Sequence, residues 1–277
     1  MSIYANSNVI EAIPTTLGGG AGGRIQRGGP APLTVEYLVV GGGGGATDVP
    51  NFRGGGGGQA VTGSLTLGLS SVFQVNVGRG ETFRQTFPAQ TSSFAGQLYI
   101  GGNVNITASF AVAGTSGTGF NSGSQAGVGS SQWGGGGGGS SAPGADGINP
   151  KAGGGGRGIQ WINGLGYGGG GGGGFIDLGG TGFGTGSDGG GNGQPNGIGA
   201  SPRQYSGGGS GGSGDALITS SQAPGTDGAS GSVIIAYQNV PAEASGVSYA
   251  IGGTVTQSGG YTYHTFTGSG IFQTLVK

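Results

Sequence analysis

The chain has no cysteine, one histidine, one methionine and two lysines in 277 residues. Without thiols there are no disulfides and no thiolate metal site. A single histidine, His264, rules out histidine-rich metal or acid–base clusters. It sits in the alternating stretch "YTYHTF" and reads as a structural strand residue. Charge is scarce too: 7% of residues are charged and the net charge is −1. The seven arginines are scattered, so the basic stripe that displaces counterions from nucleic acid is missing, and no nucleic-acid partner is expected. A polybasic membrane anchor is equally missing. No run approaches 18 apolar residues, so membrane insertion is not expected. The opening "MSIYANSNVIEAIP" lacks a basic region followed by an apolar one. No secretory leader is expected, which fits an intracellular product or one released by lysis.

What the chain has instead is glycine, 79 residues of it. Collagen needs glycine at every third position and abundant proline, whereas here glycine comes in blocks beside 11 prolines. Flexible linker sequence is the next candidate. Against it stand 32% hydrophobic and 8% aromatic residues, and too little charge to keep a chain open. Within the body of the chain, beyond residue 33, blocks of three or more occupy 41–45, 54–58, 134–139, 153–156, 168–174, 189–191 and 207–209. Their spacing is irregular, which disfavours a solenoid.

Strand signals frame the blocks. "TVEYLVV" at 34–40 is β-branched and aromatic, bounded by Pro32 and five glycines. In 64–78, Leu65, Leu67, Leu69, Phe73, Val75 and Val77 share one parity and would line one face of a strand. Leu98, Ile100, Val104, Ile106, Phe110 and Val112 continue with near period two, and "SVIIAYQNV" at 232–240 is the strongest strand of the second half. No helix is expected, since glycine costs about 1 kcal/mol per helical position relative to alanine.

The expected organisation is an attachment segment at 1–33, a glycine-rich domain at 34–240 and a C-terminal β module with a small hairpin unit at 241–277. Within the middle part, 34–113 contains β structure, 114–231 is rich in polyglycine II, and 232–240 is a closing strand. The fold class is all-β to irregular.

A seven-glycine run has much conformational freedom to lose and no side chain to bury. Backbone hydrogen bonds can offset that loss. A left-handed helix of three residues per turn, rising about 3.1 Å per residue, makes no internal hydrogen bonds and points its N–H and C=O groups outward. Packed beside copies of itself, each group meets a neighbour's, and any Cβ between the copies would hold them apart. This is a polyglycine-II sandwich. The alternative is that each block is a loose loop between strands.

No catalytic constellation is evident, and a non-enzymatic protein without cofactor or metal is expected. "GTGSDG" at 184–189 matches the dinucleotide pattern G-x-G-x-x-G, but it neither follows a clear strand nor opens a helix. Asp146, Asp188 and Asp227 recur before glycine and read as turn-formers. The binding candidates are rings, arginines and an amide in the spacers: Phe52, Arg53, Trp133, Arg157, Gln160, Trp161, Tyr167, Arg203 and Tyr205. Aromatic and arginine side chains are favoured recognition anchors, and rings flanked by amides suit sugars. The other reading of the same rings is that they cap the edges of the glycine lattice.

"EYLVVGGGGG", then "FQVNVGRGETFRQTFPAQTSSF", dispersed glycine blocks and "GASGSVIIAYQ" follow an order that resembles the glycine-rich domain of bacteriophage tail-fibre and other virion proteins. The closing "GGTVTQSGGYTYHTFTGSGIF" resembles a β module of the same proteins. In block architecture the chain is similar to the adhesins at the tips of T-even-type long tail fibres. The resemblance implies a virion location and a receptor-binding role toward a host surface protein or polysaccharide. It also implies contacts with other virion proteins through 1–33, and homo-oligomers are compatible with it. A purely structural virion component, such as a capsid decoration or fibre adaptor, and a self-assembling cell-surface or matrix protein are the alternatives.

Overall fold

The computed structural model describes residues 32–46, 52–82, 88–98, 102–111, 133–148, 150–176, 182–195, 197–214, 226–239 and 249–275. Nearly all of the expected attachment segment lies outside the described residues, as do Ile100 and Val112. Among the described residues there is no helix. The strands are β1 (Leu33–Val40), β2 (Ala60–Leu67), β3 (Val72–Asn76), β4 (Ser92–Leu98), β5 (Gly102–Ala108), β6 (Ile159–Gln160), β7 (Gly166–Tyr167), β8 (Ser232–Gln238), β9 (Ala250–Ile251), β10 (Thr254–Ser258), β11 (Tyr261–Phe266) and β12 (Gly270–Thr274). They form two five-stranded sheets, ordered β10-β11-β8-β1-β2 and β5-β4-β3-β12-β9, and one two-stranded hairpin, β6-β7. All strand pairs are antiparallel.

Alternation explains how the sheets meet. Val35 and Val39 of β1, and Val233, Ile235 and Tyr237 of β8, face inward against Phe73, Val75, Phe94 and Phe272 of the second sheet. The rings of Phe73 and Phe94 lie 4.9 Å apart, and Phe94 meets Phe272 edge-on at 6.2 Å. The run from Leu65 to Val77 keeps its shared parity toward this core, yet it is two strands and not one. A turn at Leu69–Ser70 carries the chain from the first sheet to the second, with Ser70 at φ 57°. The last strands are divided between the sheets: β10 and β11 form a hairpin on β8, whereas β12 inserts between β3 and β9. His264 is fully buried; its Nδ1–H donates to the Gly252 carbonyl at 2.7 Å, and its Nε2 accepts from the Tyr237 hydroxyl at 3.2 Å.

Three adjacent strands of the first sheet run out into glycine. Opposite Val40 stand Ala60 and Ser232, and past this point β1, β2 and β8 continue as the segments 41–46, 52–59 and 226–231. In a strand the backbone partner alternates between two neighbours. In these segments it rotates among three. Gly41 N–H donates to Gln59, Gly42 to Gln90, Gly43 to Ala229, and Gly44 returns to the first neighbour at Gly56.

The run 168–174 makes the period explicit. Its N–H groups step by three along each neighbour: Gly170 and Gly173 donate to Gly156 and Gly153, Gly171 and Gly174 to Gly55 and Phe52, Gly169 and Gly172 to Asp188 and Gly191. Its carbonyls do the same with three further segments. Those of Gly168, Gly171 and Gly174 accept from Ser140, Gly137 and Gly134; those of Gly169 and Gly172 accept from Gly209 and Gly212; those of Gly170 and Gly173 accept from Ser187 and Gly184. Gly168 N–H completes the account by donating to Ser206 at 2.8 Å. All seven N–H and all seven C=O groups are therefore used, by six surrounding segments. A three-residue period is that of polyglycine II, and one segment ringed by six is hexagonal packing. Some of the neighbours run parallel to the central run and others antiparallel.

Glycine is required here by close approach. A methyl on Gly170 would overlap the Gly137 carbonyl oxygen, and one on Gly171, Gly172 or Gly173 would overlap those of Ser210, Gly184 or Gly134. At the lattice margin, side-chain oxygens stand in for missing carbonyls: Gly45 N–H donates to buried Glu81 Oε2 at 3.0 Å, Gly78 to Ser92 Oγ at 2.9 Å and Gly186 to Asn192 Oδ1 at 2.8 Å. The lattice thus draws 41–45 and 54–58 together with the later blocks, not the later blocks alone.

Candidate functional site

Connections leave the lattice at two ends. Segment 52–59 leads into β2, so Phe52 marks the end far from the sandwich and Gln59 the near end. The seven-residue central run implies a separation of roughly 20 Å at the polyglycine-II rise. The nine candidate binding residues fall into two groups on this basis.

Phe52, Arg53 and Trp133 lie at the far end. Gly174 N–H donates to the Phe52 carbonyl, and Trp133 bridges to Phe175, which bridges to Pro195. Phe52 and Trp133 are buried, and the Trp133 and Phe175 rings stack at 5.1 Å and 22°. These rings close the end of the lattice, where glycine offers nothing apolar. Trp133 Nε1 and Arg53 Nε are buried without a hydrogen-bond partner. Ile148, Phe183 and Ile198 are exposed; Ile148 bridges to Lys151, which bridges in turn to Gly182. The described residues on either side of 47–51, 177–181 and 215–225 also belong here: Ala46 donates to Thr226, Lys151 bridges to Gly182, and Gly197 bridges to Gly214.

The remaining six gather around the near end. The β6-β7 hairpin folds back over the outer face of the first sheet, where Leu38, Val40, Ile234, Ala236 and Tyr263 need a cover. Trp161 and Tyr167 supply it; both are buried, and Trp161 meets Tyr263 edge-on at 6.1 Å. The hairpin loop is held by Trp161 N–H to the Leu165 carbonyl at 3.0 Å, by Gly164 at φ 77°, and by Asn163, whose amide donates to the Tyr167 hydroxyl at 2.8 Å. Ile162 and Leu165 project at its tip.

Two turns clamp the base of the hairpin. Asp188, at φ 41°, accepts from Gly158 N–H at 2.8 Å, from Ser187 Oγ at 3.0 Å and from the Gln160 amide. Arg203 donates to the Gly166 carbonyl and lays its guanidinium over the Tyr167 ring, 5.1 Å from the centroid. Burial pushes the Tyr167 phenol above its ordinary pKa, against the opposing pull of Asn163 and Arg203. Ser206 stiffens the second turn, its Oγ donating to the Arg203 carbonyl at 2.6 Å and accepting from Gly208 N–H at 3.1 Å.

Of the nine, Arg157, Gln160, Arg203 and Tyr205 are exposed, Arg53 is half-buried, and the other four are inside. The signal for the buried rings was present in the strands. "LVV" and "VIIAY" are apolar on both parities, which marks strands covered on both faces. The covering group had to come from the spacers. Asp188 acts as more than a turn-former, and no spacing in the sequence marks that clamp. Nor does the sequence single out the open cleft of about 510 Å³ beside Tyr205, formed where the 201–205 turn approaches segment 226–230. Among the described residues no group of three or more His, Cys, Asp or Glu side chains is placed to hold a metal ion, and no helix is long and apolar enough to cross a membrane.

Comparison with known families matches residues 29–238 to the model of a glycine-rich domain. No curated protein and no solved structure matches the chain.

Proposed function

Since the chain belongs to the glycine-rich domain family, we propose that it is a bacteriophage virion protein, a tail-fibre or tail-tip adhesin that holds contact surfaces on a stiff glycine body. The observation that carries this reading is the complete backbone satisfaction of 168–174 by six neighbours. A body whose central run is bonded through every main-chain group has little freedom to bend. Turns and loops on such a scaffold are where binding residues are found. Each single contact is weak, and several copies per particle multiply the contacts into firm attachment. The scarcity of charge makes attachment insensitive to salt. Partners are a host surface protein or polysaccharide and neighbouring virion proteins, with no enzymatic step.

The burial of Phe52, Trp133, Trp161 and Tyr167 favours a second reading, a structural virion component such as a capsid decoration or fibre adaptor, because these rings serve the fold. Antibody labelling of intact particles, combined with competition by purified protein, separates the two. Label at fibre tips together with slowed adsorption to bacteria supports the adhesin. Label over the capsid, with adsorption unchanged, supports the structural role and removes the adhesin.

A further inference from the structure

The cleft between the 201–205 turn and segment 226–230 is lined by Ser201, Gln204, Tyr205, Thr226, Asp227 and Ser230 among others. Tyr205 stands out in it. Its backbone is in the left-handed region at φ 59°, where a bulky side chain is a true outlier, and the residue is 41% exposed. The fold does not use the ring as cover, unlike Trp161 and Tyr167. Strain held at an exposed ring is a pointer to function. The turn that carries it is rigid: Arg203 N–H donates to Gly189 at 2.8 Å, and Ser206 is bonded back to Arg203.

We infer that this cleft binds a neutral saccharide, with a pyranose ring against Tyr205 and sugar hydroxyls on Asp227, Gln204 and the three surrounding hydroxyl side chains. The lining chemistry selects that class. Among the described residues no lysine or arginine lines the cleft, and the charged side chain there is the Asp227 carboxylate, which disfavours phosphates and sugar acids. Arg203 belongs to the same turn but its guanidinium is committed to Gly166 and Tyr167. A single ring beside hydroxyls and an amide gives too little apolar surface for a lipid or a hydrophobic peptide anchor. It suits a ligand with one apolar face and many hydroxyls. This inference rests on the adhesion reading and names its receptor class.

The test uses the full chain on an array of neutral oligosaccharides built from hexoses, 6-deoxyhexoses and N-acetylhexosamines, with sialylated and phosphorylated glycans beside them. Binding to neutral members is expected, followed by saturation transfer from the protein to the best of them in solution. Tyr205→Gly removes the ring and gives the backbone the residue its φ favours. It is expected to abolish binding with the melting temperature unchanged or raised. Asp227→Asn is expected to weaken binding about tenfold, the worth of one charge-assisted hydrogen bond. Binding that survives Tyr205→Gly, preference for the anionic glycans, or no array binding by the wild-type protein each overturns the inference. Attachment to bacteria that persists in Tyr205→Gly without any array signal removes this site and leaves adhesion standing. Glycan binding through Tyr205 without attachment to bacteria keeps the site and removes the adhesion reading.

Discussion

Two adjacent glycines in one block separate a packed lattice from a flexible tract. An ideal Cβ on Gly154 meets nothing closer than the Thr185 carbonyl oxygen at 3.7 Å, ordinary contact. A Cβ on Gly155 would overlap the carbonyl oxygen of Gly170, with the Gly170 carbon at 2.5 Å. Relief at Gly155 requires the segment 153–156 to withdraw from 168–174 by about 1.5 Å, since unstrained carbon–oxygen contacts are near 3.5 Å. That motion stretches Gly170 N–H to Gly156 and Gly173 N–H to Gly153, both 2.9 Å. Each buried bond lost costs about 1–3 kcal/mol, and the overpacking itself costs about 1–3 kcal/mol. Gly155→Ala should therefore destabilise by roughly 3–9 kcal/mol. At about 2–4 °C per kcal/mol for a domain of this size, the melting temperature falls by roughly 6 °C or more. Gly154→Ala narrows the unfolded ensemble without a clash and should be neutral or stabilise by up to about 1 kcal/mol. Urea unfolding and a thermal scan of the two variants decide the matter. Equal stabilities within about 0.5 kcal/mol would refute the lattice, because a loose tract cannot tell neighbouring glycines apart.

Trp161→Ala should uncover Leu38, Val40 and Ile234, cost about 3–5 kcal/mol in urea unfolding and raise the binding of a hydrophobic dye. His264→Ala opens a cavity between Tyr237 and Phe272 and removes the bond to Gly252, for an expected loss of about 2–4 kcal/mol by the same measurement. The raised phenol pKa values of Tyr167 and Tyr263 mean that the folded state holds their protons more tightly than the unfolded chain. Their contribution is complete below the ordinary tyrosine pKa of about 10 and is lost as pH rises through the folded values. The urea midpoint should therefore fall as pH rises above about 10, and Tyr167→Phe should flatten part of that fall; a wild-type midpoint that rises over this interval would contradict the burial of these phenols.

The two kinds of structure in this chain differ in how far a sequence can declare them. Strands β1, β3 and β8 were legible because Val39, Phe73 and Ile235 carry a side-chain period that maps directly onto a buried face. The glycine blocks declared their need for close approach by being uninterrupted. They could not declare their neighbours: Gly171 bonds to Gly55 and Gly137 on different sides, and nothing in those three residues distinguishes them from Gly170 or Gly172. A lattice of identical units has no side-chain code for register. Register must be imposed from its boundaries, and the boundaries are where the informative residues sit. β1, β2 and β8 feed three segments in at fixed registers, Asp188 and Arg203 fix the turns at the near end, and Trp133 on Phe175 closes the far end. This also explains why rings that looked free for recognition are mostly buried. In a body whose interior has no side chains, the few large apolar groups are drawn to its margins, where the sheet face and the lattice ends expose surface that glycine cannot cover. Tyr205 escapes this demand, exposed on a backbone at φ 59° in the left-handed region. Its exposure on a strained backbone is an aromatic placement that the stability of the fold leaves unexplained.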